Sequence, residues 1–255
     1  MNRISDAFKG KKAFVAFITG GDPDIETTEK LIIAMAESGA DIIEIGIPFS
    51  DPVAEGIVIQ QADERALKNG CTVDKLFEMV KRVRGKTDIP LLFMTYINPI
   101  FVYGKEKFMS RCAECGIDGV IVPDLPFEER AELAEVCEKH GITQISMIAP
   151  TSRERIEIIA KNAKGFIYCV SSLGVTGVRS ELNTNVAEMI NEVKKVTPVP
   201  CAVGFGISTP GQARDMADVS DGIIIGSAIV KLIEKYGRDS IEPVKQFVIA
   251  VKGAM

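Results

Sequence analysis

The chain is poor in the side chains that build metal and redox centres. It has one histidine in 255 residues, and its six cysteines are scattered. Only Cys112-Ala113-Glu114-Cys115 has ligand spacing, and no second cysteine or histidine pair completes a zinc set. Both thiols are expected inside a helix, reduced. His140, at the end of a helical pattern before Gly141, is expected as a surface helix end. No basic run exceeds Lys11-Lys12 with Lys9 nearby, and 30 Lys+Arg against 35 Asp+Glu give a net charge of −5. That excludes the electrostatic footprint of a nucleic-acid binder. Apolar runs are short and broken by charge or glycine, so no membrane span is expected. The start, Met1 to Asp6, lacks the apolar core of a signal peptide, which points to a cytoplasmic protein. There is no Rossmann fingerprint, and no lysine at an inward strand position for a Schiff base.

What the chain has is a repeated grammar: an amphipathic segment, a glycine stop, then a short β-branched run. Glu26 to Ser38, Lys105 to Cys115 and Glu128 to His140 each read as a helix followed by a glycine and a strand. Eight strands are predicted: Ala13–Thr19, Ile42–Gly46, Pro90–Tyr96, Gly119–Val122, Gln144–Ile148, Phe166–Val170, Pro200–Val203 and Gly222–Ile225. Most are apolar throughout, as strands covered on both faces should be. Eight β/α units without a linker favour an α/β fold of the (β/α)8 TIM-barrel type over an open sheet, as a single domain spanning 1–255. Asn2 to Phe8 is expected as a short extra N-terminal helix plugging the barrel's bottom.

In such a barrel the strand-to-helix loops carry the active site. The unusual loops here follow strands two (Ile47 to Ile57), three (Tyr96 to Gly104) and six (Ser171 to Thr184), the last much the longest. Strand two also holds a lone carboxylate. Side chains alternate along a strand, so Glu44 points opposite to Ile43 and Ile45, into whatever the sheet encloses. A buried carboxylate is paired, protonated or working, and no cation stands obviously on a neighbouring strand. Glu55, on the loop that follows, is a second carboxylate in a different setting. The pair can divide acid and base work, with Glu44 the raised, proton-delivering group and Glu55 ionised.

Three glycine-bearing loops follow the last three strands: Leu173 to Gly177, Val203 to Ser208 and Ile225 to Ala228. Glycine admits an oxyanion to the backbone, and a helix opening just after offers free N–H groups. Ser227 precedes an apolar-periodic segment and stands where an N-cap or phosphate ligand would. A phosphorylated small molecule is the expected ligand.

The combination Glu44-x-Gly-x-Pro-Phe-Ser-Asp-Pro, with Phe17 to Pro23, Val122-Pro123-Asp124-Leu125-Pro126, Gly174-Val175-Thr176-Gly177, Gly204 to Ser208 and Gly226-Ser227-Ala228, resembles the tryptophan synthase α-chain family over essentially the whole length. The resemblance implies retro-aldol cleavage of indole-3-glycerol phosphate to indole and glyceraldehyde 3-phosphate, with indole passed to a β subunit for L-tryptophan biosynthesis. It implies Glu44 as acid/base, Glu55 at the indole nitrogen and Tyr168 near the reacting centre. Thr176 would belong to a closing loop, and Gly177, Gly206, Gly226 and Ser227 would bind phosphate. Phe17, Leu92 and Leu125 would line the indole pocket. Pyridoxal phosphate is expected only in the β partner of an α2β2 assembly, met through Pro48, Phe49, Asp51, Asn98 and Pro99. Glu55 stands where the family's most familiar pattern has Asp, Ile57 replaces a proline, and Ser172 replaces a frequent arginine. The rival readings are a stand-alone indole-glycerol phosphate lyase and a phosphosugar-binding allosteric subunit with weak catalysis.

Overall fold

The computed structural model describes residues 3–149, 155–170, 179–204 and 206–255. Among them nine parallel strands form one sheet: β1 (Ala13–Thr19), β2 (Ile42–Gly46), β3 (Leu91–Met94), β4 (Gly119–Ile121), β5 (Thr143–Gln144), β6 (Ser146–Ile148), β7 (Ile167–Val170), β8 (Cys201–Gly204) and β9 (Gly222–Ile225). Their order is β5-β4-β3-β2-β1-β9-β8-β7-β6. The two ends of that order flank Ile145 in a single extended run, so the sheet returns on itself as a barrel. The expected fifth strand is thus divided. β5 pairs with β4 and β6 with β7, and the chain shifts partners at Ile145, whose N–H still bonds Val120. The other seven strands match the sequence reading to within two residues, and the fold is the (β/α)8 barrel it predicts.

Strand alternation sorts the apolar residues into two layers. Phe14, Ala16, Ile18, Ile43, Ile45, Leu91 and Phe93 face outward and pack under the helices. Val15, Ile42, Leu92, Ile121, Ile145, Phe166 and Ile224 face inward and fill the barrel. The helix Arg3–Asp6 closes the bottom, with Ile4 fully buried within that inner cluster. Burying such a side chain contributes about 1.5–3 kcal/mol. Glycine makes room there: a Cβ on Gly119 would lie 2.6 Å from the Thr143 carbonyl oxygen and 3.2 Å from the Ile4 side chain.

Two loops are shorter than the sequence suggests. The segment after β3 is largely the helix Ile97–Tyr103. Its proline, Pro99, falls in the first turn, where a missing N–H costs nothing, and the Ile97 N–H is taken by Asp124 at 2.9 Å. After β7 a helix already runs Arg179–Lys194.

Candidate active site

Glu44 sits mid-strand in β2, in register with Phe17 on β1 and Leu92 on β3. It is 1% exposed, and neither carboxyl oxygen has a hydrogen-bond partner. Burial, and then the charge of Glu55, push its pKa up to about 8. At neutral pH it therefore carries a proton, as an acid held in reserve must. Tyr168, on β7, is buried beside it. Burial and then Glu44's charge hold its phenol well above the ordinary value. Gly204 on β8 admits the ring, since a Cβ there would fall 2.6 Å from the Tyr168 hydroxyl.

Glu55 is half-buried rather than an open loop carboxylate, and burial raises its pKa. Beside it stands a residue the sequence reading missed. Asp63 lies on the helix Ile57–Lys68, whose buried face is Ile59, Ala62, Asp63 and Ala66. An aspartate at a core position of an amphipathic helix is itself a signal. Burial and the neighbouring Glu55 push Asp63 up to about 8, against the pull of the Phe49 backbone N–H and the Thr19 hydroxyl. The Tyr96 hydroxyl accepts the Ala54 N–H at 2.9 Å and so fixes the stretch that carries Glu55. The Phe49 ring leans on Tyr96 with centroids 5.4 Å apart.

A cavity of about 670 Å³ is lined by Glu55, Met94, Leu125, Met147, Tyr168 and Val170 among others, with Glu44 and Asp63 buried outside its lining. Leu125 is where the sequence reading puts it. Leu92 is not: it is fully buried one layer down, in the cluster with Ile4, and Met94, two residues on along the same face, lines the cavity instead. Phe17 is 5% exposed and packs against Ile59, Ala62 and Val230. Its ring fills the space a Cβ would need at Gly46 and Gly226. It is not among the residues that line the cavity.

At the late-strand end, the two described helix starts differ. The helix Pro210–Val219 is closed by a capping box, Thr209 with Gln212. The helix Ser227–Tyr236 has Gly226 at its N-cap and no side-chain cap, so its opening amides and the exposed Ser227 hydroxyl face outward. Ser227 is thus the first helical residue, not the cap. Gly206 takes a left-handed φ of 77° with open space where a Cβ would point. Thr176 and Gly177 lie outside the described residues.

Of the five expected partner contacts, Asp51 and Asn98 are exposed, and Phe49 and Pro99 are half-buried. Pro48 is buried, because it follows the last residues of β2 into the barrel rim, and it presents little to a partner. The exposed apolar surface of this face is instead Val53, Ile57, Phe101 and Val102, which the sequence reading passed over because Ile57, Phe101 and Val102 fall in apolar runs that do not show which member faces outward. Cys112 and Cys115 are buried and unbridged in the helix Lys105–Cys115. His140 ends its helix, with Nε2 2.9 Å from Glu106. Among the described residues no three His, Cys, Asp or Glu side chains gather to hold a metal, and no helix is long and apolar enough to cross a membrane.

An unpaired carboxyl inside the barrel, a second carboxyl on the rim, and an uncapped helix start after the last strand define the class: a barrel enzyme built around acid–base chemistry on an anionic small molecule. Comparison with known proteins narrows the class. The family model for the tryptophan synthase alpha chain matches residues 5–255. A tryptophan synthase alpha chain from Thermoanaerobacter sp. (strain X514) is 48% identical over 259 residues, covering 99% of each chain. One from Lacticaseibacillus casei is 47% identical over 255 residues, covering 100% of this chain and 96% of the relative. A solved chain from Aquifex aeolicus VF5 superposes with a TM-score of 0.91 at 41% identity, covering 100% and 99%. A chain of the tryptophan synthase a2b2 complex from Pyrococcus furiosus superposes at 0.88 with 36% identity, covering 95% and 99%. The chain belongs to the tryptophan synthase alpha chain family.

Proposed function

We propose that this chain cleaves indole-3-glycerol phosphate to indole and glyceraldehyde 3-phosphate, and that Glu44 runs the proton transfers. The observation that carries the reading is a carboxyl 1% exposed, without a hydrogen-bond partner, beside Tyr168, which lines an apolar-walled cavity. The protonated Glu44 gives its proton to indole C3, and positive charge spreads to the ring nitrogen. The Glu44 carboxylate then takes the proton of the side-chain hydroxyl. As that C–O becomes a carbonyl, the C–C bond breaks and its electron pair restores the indole ring. Glu44 ends as it began, protonated. Glu55, on the rim, accepts the indole N–H while the ring is cationic. Met94 and Leu125 form the apolar walls. Gly206, Gly226 and Ser227, with Gly177 from the loop after β7, hold the phosphate, and Thr176 belongs to the loop that closes over the site. The uncapped start of the Ser227–Tyr236 helix supports that placement, because the self-capped neighbour has fewer donors to offer.

The whole of 1–255 works as one domain in the cytoplasm, passing indole to a β subunit that holds the pyridoxal phosphate. The surface of Asp51, Val53, Ile57, Asn98, Phe101 and Val102 is the docking face, because the Ala54–Tyr96 bond joins its two halves into one rigid rim. The test is release of glyceraldehyde 3-phosphate, alone and with a β subunit, with Glu44→Gln in parallel. Slow turnover that rises with partner, and falls at least about 10³-fold in the variant, is expected. Fast turnover alone points to a free lyase. Undiminished turnover in E44Q removes Glu44 from the mechanism.

A further inference from the structure

Asp63 and Glu55 meet at the rim without a cation. No lysine or arginine acts on either carboxyl among the described residues. Arg65, two residues along the same helix, is committed elsewhere: its Nε and Nη2 donate to Asp22 at 2.9 and 2.8 Å, and Nη1 to Glu234. Asp63 is 3% exposed and Glu55 half-buried. The other groups facing Asp63 are the Thr19 hydroxyl on β1, the Phe49 N–H after β2, and the neutral Cys71 and Tyr96 side chains. Glu44 adds a third carboxyl through Glu55. Two ionised carboxylates in contact have no donor between them, and in a site this buried one of them keeps a proton. The more deeply buried partner keeps it, since desolvation opposes its charge more.

We propose that Asp63 is a positioning residue that carries one proton shared with Glu55, donates it to the Glu55 carboxylate, and so holds Glu55 ionised and aimed at the indole nitrogen. This rests on the reading of Glu55 as the indole-side carboxylate. It accounts for three facts together. A charged residue type occupies a core position of the Ile57–Lys68 helix, Glu55 is held half-buried, and the Phe49 backbone joins the same cluster. A glutamate here has one methylene more than aspartate, and a fixed donor behind it removes the extra freedom that methylene brings.

The test uses the full chain with and without substrate. Without substrate, infrared spectra of the E44Q protein at neutral pH should retain a protonated-carboxyl stretch. E44Q/D63N should lose it, because the remaining carboxyl, Glu55, is ionised against the amide, whereas E44Q/E55Q should keep it, because Asp63 is still buried. With substrate, D63A should lower kcat about 10-fold with little change in KM. D63N, whose amide still donates to Glu55, should recover to within about 3-fold of the parent. The alkaline fall in kcat above about pH 8, where the parent loses protons from both Glu44 and Asp63, should be steeper in the parent than in D63N. A retained stretch in E44Q/D63N, or equal loss in D63N and D63A, overturns the proposal. If the parent itself fails to turn over indole-3-glycerol phosphate while the infrared loss appears, the shared proton stands and the functional reading falls.

Discussion

Two sets of carboxylates, at opposite ends of this barrel, are held in opposite ways. At the bottom, the residue before each of three strands is an aspartate that accepts the backbone N–H of the adjacent strand and pairs with a cation. Asp41 takes the Phe14 N–H at 2.8 Å with Lys252 and Lys11. Asp118 takes the Leu91 N–H at 2.9 Å with Arg84 and Arg3. Asp221 takes the Cys201 N–H at 2.7 Å with Lys194. At the top, Glu44, Glu55 and Asp63 face one another with no described cation. Asp41, just before β2, and Glu44, within it, stand three residues apart, so local sequence does not set the difference. The setting within the barrel does: the lower aspartates are paired and hold the strands together, and Asp22 at the top is likewise paired with Arg65, while the Glu44, Glu55 and Asp63 cluster is left without a cation among the described residues and available to a substrate.

That contrast predicts a pH-dependent cost confined to the top. Glu44 titrates near 8 in the folded chain against 4.5 for the free group. The folded state thus binds the extra proton, and the stability it confers is complete below about 4.5 and is lost as pH rises through 8. Glutamine mimics the protonated form and does not titrate. E44Q should gain on the parent as pH rises, by on the order of 4 kcal/mol near pH 8.5, while losing catalysis. Urea unfolding of both proteins from pH 5 to 8.5 measures it. Parallel curves would mean that Glu44 is ionised in the folded state.

The bottom should respond in the opposite sense, with stability lost and chemistry kept. D118A strands the Leu91 N–H and leaves Arg84, whose charge burial already disfavours, without its carboxylate. A loss of about 3 kcal/mol in unfolding free energy is expected, with kcat per folded molecule unchanged. A drop in kcat with stability intact would erase the division between the two ends.

How far this contrast was legible in the sequence depends on scale. The β/α grammar fixes the strands because apolar runs and glycine stops are local, and alternation alone points Glu44 inward. Height along the barrel is not local. Leu92 and Met94 share a face, and which of them reaches the cavity is set by strand stagger, which no single strand encodes. The division at Ile145 likewise depends on two different neighbours, β4 and β7. Asp63 was readable in principle from the Ile59-Ala62-Asp63-Ala66 stripe, but a helix pattern does not say which carboxyl its acid will meet. Pro48 misleads for the converse reason: proline suggests a surface turn, and here the turn begins inside the rim.

The rim itself offers the smallest and sharpest test of the comparison. If the top is organised for chemistry, its few neutral hydrogen bonds should matter more to turnover than to folding. The Tyr96 hydroxyl accepts one backbone N–H, from Ala54, immediately before Glu55. Y96F removes an acceptor at a part-buried site and leaves the ring on Phe49, so about 1 kcal/mol of local order is lost. Global stability should move by less than that, because the 51–56 stretch contributes little apolar burial. The loss should appear in kcat/KM, about 5-fold, since Glu55 must be re-aimed in each turnover. The same variant should also weaken activation by the β subunit, because Ala54 lies between Val53 on the docking face and Glu55 in the site. Equal losses in unfolding free energy and in catalysis would mean that this bond is structural, like those at the bottom.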